Sequence, residues 1–202
     1  MKQYPSIPHF DEKFLGRQCI GFTKYDGSCI RAEWSMKKGF YKFGTRDQLL
    51  SPDDPIFAQA QALIQGDVGL DVVDTLKATQ GKLERLVAYF EFFSNHPDCF
   101  AGTQLVEGEK FVKLIDVSIY RKGFMTPQNF VKVFEHKDYC AEPVFEGRLT
   151  QDEVQHVMDG EGEGVVYKGG ESVHKIWRCK VKSRAWKNEL IRRKGNDWER
   201  LF

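Results

Sequence analysis

The sequence contains few cysteines, and their spacing suits neither a disulfide framework nor a zinc site. Five cysteines occur among 202 residues, an odd number without any Cys-x-x-Cys pair. Disulfide-rich secreted domains carry paired cysteines, and structural zinc sites need closely spaced ligands. The five histidines show no metal-ligand spacing either, so they receive no role. This usage predicts a reducing compartment and therefore a cytoplasmic protein.

Long apolar segments and a strong net charge are also absent. The N-terminal run Met1-Lys2-Gln3-Tyr4-Pro5 is not the apolar core of a signal peptide. No segment reaches the roughly 20 apolar residues of a membrane-spanning helix. Net charge is only +1, but residues 168–202 hold eleven basic and four acidic side chains, a surplus of seven. We therefore expect no membrane partner, and we expect an anionic partner to bind the C-terminal part.

The residues that are present favour a folded α+β domain. Hydrophobic residues make up 41% of the chain and aromatic residues 13%, with sixteen phenylalanines. They supply the apolar surface that a core needs. No repeat or Pro/Ser-rich linker occurs, so we expect one domain over residues 1–182 and a short basic helical tail over residues 183–202. The pattern predicts mostly antiparallel sheets with flanking helices.

Turn and capping signals set the expected elements. Asp54-Pro55, Thr126-Pro127 and the capping box beginning at Thr150 each predict the start of a helix. Asp54 is expected as an N-cap, with Pro55 at the first helical position. The other expected elements are helices over residues 72–79 and 184–194 and strands over residues 19–24, 28–34, 39–45, 86–93, 110–120, 164–168 and 173–182.

Lys24 lies where a lysine nucleophile would be useful. It ends an apolar strand containing Ile20 and Phe22 and precedes the turn Asp26-Gly27. A lysine attacks phosphorus only after losing its proton, and desolvation and neighbouring cations favour that loss. Asp26 can orient the amine, and Gly27 admits a ligand close to the backbone. The alternative is a surface hairpin in which Lys24 and Asp26 form a weak exposed ion pair.

Glu91 and Glu163 are carboxylates in unusual sequence surroundings. Glu91 interrupts the apolar strand over residues 86–93, where an unpaired carboxylate would be costly. The alternative is a strand whose solvated face carries Glu91. Glu163 lies in a glycine-rich run ahead of a strand that ends at Lys168, and it could hold a magnesium ion that bridges phosphate oxygens. The alternative is a turn with solvated acids.

Basic side chains complete the candidate site. Strand periodicity puts Arg178, Lys180 and Lys182 on one face, and three neighbouring cations suit a triphosphate. A solvated edge strand is the alternative. Arg46 ends the third predicted strand, and its guanidinium suits bidentate phosphate contact. A surface ion pair is its alternative.

Taken in order, these segments resemble the motif series of the covalent nucleotidyltransferases, which include ATP-dependent RNA ligases, DNA ligases and mRNA capping enzymes. Each motif is weak alone, but six in order across residues 18–182 form a specific signal. The matching runs are Lys24-Tyr25-Asp26-Gly27 (motif I), Gly44-Thr45-Arg46 (Ia), Phe90-Glu91-Phe92-Phe93 (III), Leu114-Ile115-Asp116-Val117 (IIIa), Glu163-Gly164-Val165-Val166-Tyr167-Lys168 (IV) and Lys180-Val181-Lys182 (V).

The resemblance implies an adenylation domain that uses ATP with Mg²⁺ or Mn²⁺. Lys24 would form a covalent lysyl-AMP, while Lys180 and Lys182 would contact the α-phosphate and stabilise charge as pyrophosphate leaves. Ile115 stands where the family often has an aromatic residue, so weaker stacking is implied. The other implied roles are phosphate and amine positioning by Asp26 and Arg46, ribose binding by Glu91, metal binding by Glu163, adenine packing by Val166, and further nucleotide contacts by Thr23, Gly27 and Lys168.

Motif I also bears on the substrate. DNA ligases and capping enzymes usually have an arginine where this chain has Cys29, and the run Asp26-Gly27-Ser28 is more similar to RNA ligases of the T-even phage type. The resemblance therefore implies an RNA repair ligase that joins 5′-phosphate and 3′-hydroxyl RNA ends through lysyl-AMP and an RNA-adenylate. The alternatives are a minimal DNA ligase, a GTP-using capping-type enzyme, and a catalytically inactive module that binds nucleotide or nucleic acid.

About twenty residues follow Lys182, too few for the C-terminal OB domain of DNA ligases and capping enzymes. We therefore expect a minimal ligase, or one that borrows a protein partner for substrate binding. In the tail, Arg184, Trp186 and Trp198 mix cations with tryptophans, which suits base stacking. The alternative is a basic amphipathic helix packed through Trp186 and Leu190.

Overall fold

Two antiparallel β-sheets organise the chain. The structure, a computed structural model, describes residues 1–93 and 111–194. The chain divides into two compact units, each with its own sheet and helices, so the predicted α+β class is confirmed. The domain boundary expected at residue 182 stays a prediction. The first unit comprises Met1–Ser6, Asp26–Ala141 and Gly170–Ile176, and the second comprises Ile7–Tyr25, Glu142–Gly169 and Trp177–Phe202.

The described elements follow most of the expected ranges. A 3₁₀-helix over Glu12–Phe14 precedes the first strand. The strands are β1 (Gln18–Thr23), β2 (Ser28–Ser35), β3 (Gly39–Gly44), β4 (Arg85–Phe93), β5 (Phe111–Ile119), β6 (Gly123–Phe124), β7 (Pro143–Arg148), β8 (Gly164–Gly169) and β9 (Trp177–Lys182). The helices are α1 (Ala58–Gln65), α2 (Asp67–Gln80), α3 (Pro127–Val133), α4 (Gln151–Asp159) and α5 (Arg184–Lys194).

The first unit is built on a five-stranded sheet with the order β3-β2-β4-β5-β6. Nearly all residues of β4 are buried, and Leu86, Phe90 and Phe92 have almost no exposed surface. Ile64 in α1 and Leu76 in α2 are fully buried in the same unit, and α1 contacts β3 and β5. Burying each such side chain contributes roughly 1.5–3 kcal/mol. This core holds β2 and β4 rigidly in register.

The second unit contains a four-stranded sheet with the order β7-β1-β8-β9. Helix α4 packs against β8 and β9. Thr150 accepts a hydrogen bond from the Glu153 amide and caps this helix, as the capping box predicts. The Glu153 carboxylate accepts from the Tyr167 hydroxyl instead of turning back to the cap. The core cluster comprises Phe14, Cys19, Leu149, Val154, Val157, Val165, Tyr167, Cys179 and Val181.

Three expected boundaries are wrong. The second helix begins at Asp67 rather than at Val72. The first helix begins at Ala58, because the Asp54 carboxylate accepts from the Ile56 and Phe57 amides and closes a turn before the helix. The last strand begins at Trp177 rather than Val173, because Gly169 pairs with Trp177 and the intervening residues form the hairpin connection. Strands β6 and β7 were not expected from the sequence.

The described part of the tail is helical. In α5 both Trp186 and Leu190 are buried, which favours the packed basic helix over a stacking surface. Trp198 lies outside the described residues. Within the described ranges, no helix combines the length and apolar character needed to cross a membrane.

Candidate active site

Strand pairing in the second unit fixes Lys24. β1 runs antiparallel to β8, with Thr23 opposite Val165, and Lys24 follows directly. The Lys24 amide donates to the Gly164 carbonyl oxygen at 2.9 Å. The Lys24 Nζ atom lies 2.6 Å from Glu163 Oε1, and the Lys24 side chain is 20% exposed. The predicted nucleophile is therefore a partly buried lysine held against a carboxylate.

Lys182 binds the same carboxylate oxygen from the neighbouring strand. Its Nζ atom lies 3.3 Å from Glu163 Oε1 and 4.1 Å from the centre of the Trp186 ring. Burial lowers the pKa of Lys182 to about 8; Glu163 opposes this shift, while Lys24 and Lys180 add to it. One carboxylate thus holds two lysines, which gives the cluster a net positive charge.

The second carboxylate oxygen of Glu163 suits a divalent metal. Glu163 is only 4% exposed, and among the described residues its Oε2 atom has no hydrogen-bond partner. A buried, unpaired carboxylate oxygen is costly, and it is a ligand that Mg²⁺ prefers. The described residues contain no cluster of three or more potential metal ligands. Mg²⁺ commonly uses one or two carboxylates with substrate phosphates, so the residues present fit a metal shared with a nucleotide.

The start of β8 is shaped around this cluster. Gly164 has φ of +137°, and a Cβ atom there would lie 2.0 Å from the Val181 carbonyl oxygen. Ser183 ties the cluster to α5: its amide donates to the Glu163 carbonyl oxygen at 3.0 Å. Its hydroxyl donates to the Gly162 carbonyl oxygen at 2.5 Å and accepts from the Trp186 amide at 3.1 Å. The carboxylate is therefore presented by a backbone with little freedom.

The first unit brings Gly27 and Glu91 together. The Gly27 amide donates to Glu91 Oε1 at 3.2 Å. A Cβ atom at Gly27 would lie 2.6 Å from the Phe92 carbonyl oxygen. The backbone at Gly27 therefore passes too close to β4 for any residue other than glycine. Glu91 pairs with Cys29 in β2 and is neither fully buried nor fully exposed. The Glu91 carboxylate therefore accepts a backbone hydrogen bond, and its side chain does not lie on a fully solvated face of the strand.

Arg46 and Cys29 line a small recess in the first unit. The recess has a volume of about 200 Å³ and is also lined by Ser28, Thr45, Asp47 and Phe57. Arg46 itself is exposed.

Asp116, the aspartate of the motif IIIa-like run, accepts from the Tyr4 hydroxyl at 3.3 Å and from the Val117 amide at 3.0 Å. Asp116 is therefore engaged in a structural contact.

Comparison with protein-family models gives no match, and comparison with curated protein sequences finds none either. Solved structures of an RNA ligase from Naegleria gruberi do match. A lysine-to-alanine mutant with ATP and manganese aligns with a TM-score of 0.60 at 16% identity, covering 93% of this chain and 59% of that one. The ligase with pyrophosphate aligns with a TM-score of 0.59 at 16% identity over 93% of this chain and 59% of that one.

A lysine-to-methionine mutant with AMP and manganese gives a TM-score of 0.61 at 15% identity, again over 93% of this chain and 59% of that one. The chain therefore shares its fold with these RNA ligase structures. The chain spans about 59% of the length of the ligase chains it matches. At this level of identity the likeness concerns the fold alone.

Within this RNA ligase fold the predicted site residues fall into two sets. The second unit contains the cluster of Lys24, Glu163 and Lys182. In the same unit Val166 pairs with Phe22, and Lys168 is buried with its Nζ atom 4.9 Å from the centre of the Phe22 ring. The first unit contains Asp26, Gly27, Arg46 and Glu91, of which Gly27 and Glu91 are in contact.

The predicted faces of β9 are confirmed, and this strand has an additional neighbour. Cys179 and Val181 lie in the core while Lys180 is partly exposed on the other face. A parallel bridge joins His9 to Lys180, and desolvation together with Lys180, Lys182, Lys187 and Lys24 lowers the pKa of His9. The sequence carried no signal for His9, because its partner strand is remote along the chain.

Proposed function

We propose that this chain is the nucleotidyltransferase domain of an ATP-dependent RNA ligase, with Lys24 as the nucleophile. The observation that carries the proposal is the 2.6 Å contact between Lys24 Nζ and Glu163 Oε1, in a cluster completed by buried Lys182. A structural ion pair needs only one cation for one carboxylate. Two lysines around one buried carboxylate form a site suited to an anionic substrate.

The first step is attack of Lys24 Nζ on the α-phosphorus of ATP. Lys24 reacts as the neutral amine, after its ammonium group has lost one proton to solvent. The nitrogen lone pair then forms the P–N bond, the P–O bond to pyrophosphate breaks, and the nitrogen releases a second proton. Glu163 Oε1 is within hydrogen-bond reach of that proton at 2.6 Å. The product is a lysyl-AMP phosphoramidate. Lys180 and Lys182 stabilise the charge on the departing pyrophosphate.

Glu163 is the proposed protein ligand for Mg²⁺ or Mn²⁺, through the oxygen that has no partner among the described residues. When bound, the metal neutralises negative charge on phosphate oxygens. Burial lowers the pKa of Lys182, but the Glu163 carboxylate opposes this shift and favours the charged form that this role needs.

The remaining steps transfer AMP to a 5′-phosphate end of RNA and then join the ends. The terminal phosphate oxygen attacks the phosphorus of lysyl-AMP and releases the Lys24 amine. A 3′-hydroxyl then attacks the activated 5′-phosphate and releases AMP. The preference for RNA over DNA rests on the run Asp26-Gly27-Ser28 and on Cys29, which departs from the DNA ligase pattern.

Residues of the first unit are proposed to bind the nucleoside and phosphates. Glu91 is assigned to the ribose hydroxyls, and Arg46 and Asp26 to phosphate and amine positioning. In the second unit Val166 is assigned to the adenine face, with Thr23 and Lys168 as further nucleotide contacts. A protein partner that completes substrate binding and a cytoplasmic location are parts of the same proposal.

Mass spectrometry after incubation with ATP and Mg²⁺ tests the first step. The wild-type protein should gain one AMP through an acid-labile bond, because a phosphoramidate hydrolyses in acid. Lys24→Ala should gain none, and Lys24→Arg should also gain none, since a guanidinium stays protonated. Lys38→Ala, at an exposed lysine in the turn between β2 and β3, is a matched control that should keep adenylation.

An unmodified wild-type protein across Mg²⁺, Mn²⁺ and a range of pH would overturn the enzyme proposal. Labelling by GTP in preference to ATP would favour a capping-type enzyme. Joining of nicked DNA in preference to RNA ends would favour a DNA ligase. Each of these outcomes leaves the fold unchanged.

A further inference from the structure

A second recess opens on the sheet of the first unit, formed by residues of all five strands and of the turn between β5 and β6. Its volume is about 530 Å³, within the range of pockets that hold nucleotide-sized ligands. Across its floor, Glu33 pairs with Val87 and Val87 with Ser118, so these side chains share one face of the sheet. None of the residues assigned to catalysis or nucleotide binding lines it.

The recess carries a surplus of positive charge. Its lining includes the cationic side chains of Lys2, Lys42, Arg85 and Arg121, and the acidic side chain of Glu33. Glu33 is already engaged: it accepts from the Tyr41 hydroxyl at 2.6 Å and lies 3.6 Å from the Met1 amino group and 3.8 Å from Arg85. The lining therefore favours an anionic ligand.

Two exposed tyrosines border the same recess. Tyr41 is 38% exposed and Tyr120 is 43% exposed. The guanidinium carbons of Arg85 and Arg121 lie 4.2 Å and 5.2 Å from the centre of the Tyr120 ring. Aromatic rings near cations are one means by which proteins bind single-stranded nucleic acid, because bases stack on rings and phosphates pair with cations.

The backbone of Arg121 adds an independent observation. Arg121 has φ of +63° in the turn between β5 and β6, a left-handed conformation that glycine adopts with less strain. A non-glycine residue in this conformation is uncommon and is found often at functional sites. Arg121 therefore occupies a backbone position that glycine would fill with less strain.

We propose that this recess, which we name the Tyr120 recess, binds a single-stranded segment of RNA. Bases stack on the rings of Tyr41 and Tyr120, and phosphates contact Arg85 and Arg121. The choice of RNA over DNA rests on the proposed function, whereas the stacking surface and its charge do not. The Tyr120 recess would bind nucleotides of the substrate RNA other than those at the reacting ends.

Photocrosslinking locates the contact directly. A single-stranded RNA of about 10 nucleotides, the length scale of such sites, is prepared with 5-iodouridine and irradiated with the full chain. Peptide mass spectrometry should find the crosslink on the peptide that carries Tyr120 or on the one that carries Tyr41. Crosslinks confined to other peptides would overturn the proposal.

Binding of the same RNA with a fluorescein label, followed by anisotropy, separates stacking from charge. Tyr120→Ala should weaken binding about tenfold, while Tyr120→Phe should bind like the wild type, because stacking needs only the ring. If Tyr120→Phe loses as much affinity as Tyr120→Ala, stacking is excluded. Equal affinity of Tyr120→Ala and the wild type would also overturn the proposal.

Arg121→Gly tests the charge without endangering the fold, because glycine adopts this φ with less strain. The variant should melt at the same temperature as the wild type or higher. Its plot of log affinity against log salt concentration should be shallower by about 0.7, the contribution of one phosphate contact to a single strand. Lys132→Ala, at an exposed cation on α3 that does not line the recess, should leave the slope unchanged. An unchanged slope for Arg121→Gly would count against the proposal.

Adenylation of wild-type Lys24, measured in ATP without RNA, reports the proposed function separately. If adenylation fails while RNA still crosslinks to Tyr120, the enzyme proposal is lost and the recess proposal stands. If adenylation proceeds but no RNA contacts the recess, only the recess proposal is lost.

Discussion

The Glu163 carboxylate contacts both lysines of the cluster in the second unit. One oxygen holds Lys24 and Lys182, and the other has no partner among the described residues. A buried ion pair is a weak source of stability, because desolvation of the charges offsets their attraction. The stability of the fold therefore does not account for this arrangement, whereas the proposed binding of a metal and a nucleotide would use both oxygens.

Replacing Glu163 by glutamine keeps the shape and removes the charge. Glu163→Gln should lower the rate of lysyl-AMP formation at least about a hundredfold, the usual cost of losing a positioned electrostatic group. It should also raise the Mg²⁺ concentration needed for half-maximal rate. The measurement is AMP incorporation followed by mass spectrometry across a metal titration.

The matched control is Glu161→Gln, at an exposed acid in the same loop. It removes the same charge at the surface and should leave both rate and metal dependence unchanged. Equal losses in the two variants would point to a general effect on the loop, and the assignment of Glu163 as metal ligand would then fail.

Cys29 lines the same recess as Arg46, so the reactivity of its thiol reports on a ligand bound there. Burial raises the pKa of Cys19 to about 11 and those of Cys140 and Cys179 to about 12. At pH 9 these three thiols are almost entirely protonated, and the thiolate is the reactive form. Cys29 is partly exposed, so iodoacetamide should modify it faster than it modifies Cys19, Cys140 and Cys179.

ATP should slow the alkylation of Cys29 if the recess beside it holds part of the nucleotide. Peptide mapping at several times, with and without ATP, measures this protection site by site. Unfolding in urea is the control and should bring the four thiols to similar rates. Equal rates at Cys29 with and without saturating ATP would contradict the assignment of Arg46 to phosphate binding.

Among the secondary-structure elements, the hairpin of β8 and β9 positions the residues of the lysine cluster. Gly164 pairs with Lys182, so the strand register places the end of β9 beside the start of β8. The Gly164 carbonyl oxygen also accepts from the Lys24 amide at 2.9 Å. Register therefore brings Lys24, Glu163 and Lys182 together, although they lie on different strands and loops.

Gly164→Ala should disrupt this junction. An added Cβ atom would lie 2.0 Å from the Val181 carbonyl oxygen, and the φ of +137° is unfavourable for alanine. We expect the free energy of unfolding to fall by about 1–3 kcal/mol and lysyl-AMP formation to be lost. Urea denaturation and AMP incorporation measure the two effects.

Gly160→Ala supplies the comparison, because φ at Gly160 is −79° and the nearest atom to an added Cβ lies 3.3 Å away. This variant should keep adenylation and most of the stability. If Gly164→Ala folds and adenylates like Gly160→Ala, the close backbone approach is not required for the site.

At the scale of the whole molecule, the two units contain different parts of the proposed function. The nucleophile, the proposed metal ligand and the basic strand belong to the second unit, while Arg46, Glu91 and the Tyr120 recess belong to the first. The chain spans about 59% of the length of the RNA ligase chains it matches. In the proposed function, Lys24 and Glu163 serve adenylation, and the joining of RNA ends is a separate proposed step.

Local signals predicted the elements where short-range contacts decide the structure. Thr126 caps α3 and Thr150 caps α4, as their side-chain chemistry indicates. The prediction was wrong at Asp54, where the same capping chemistry closes a turn before the helix begins. It was also wrong at Val173, because hairpin pairing, a contact between distant strands, determines where β9 starts.

The α+β class, the apolar faces and the order of the motif-like segments could be predicted, because these depend on residue type and spacing. The folded chain was needed to show that Lys24 and Lys182 share one oxygen of Glu163, and that His9 lies beside Lys180. These contacts arise from strand register and from backbone packing at Gly164. A register shift of one residue would turn each side chain to the opposite face, and local sequence alone does not specify register.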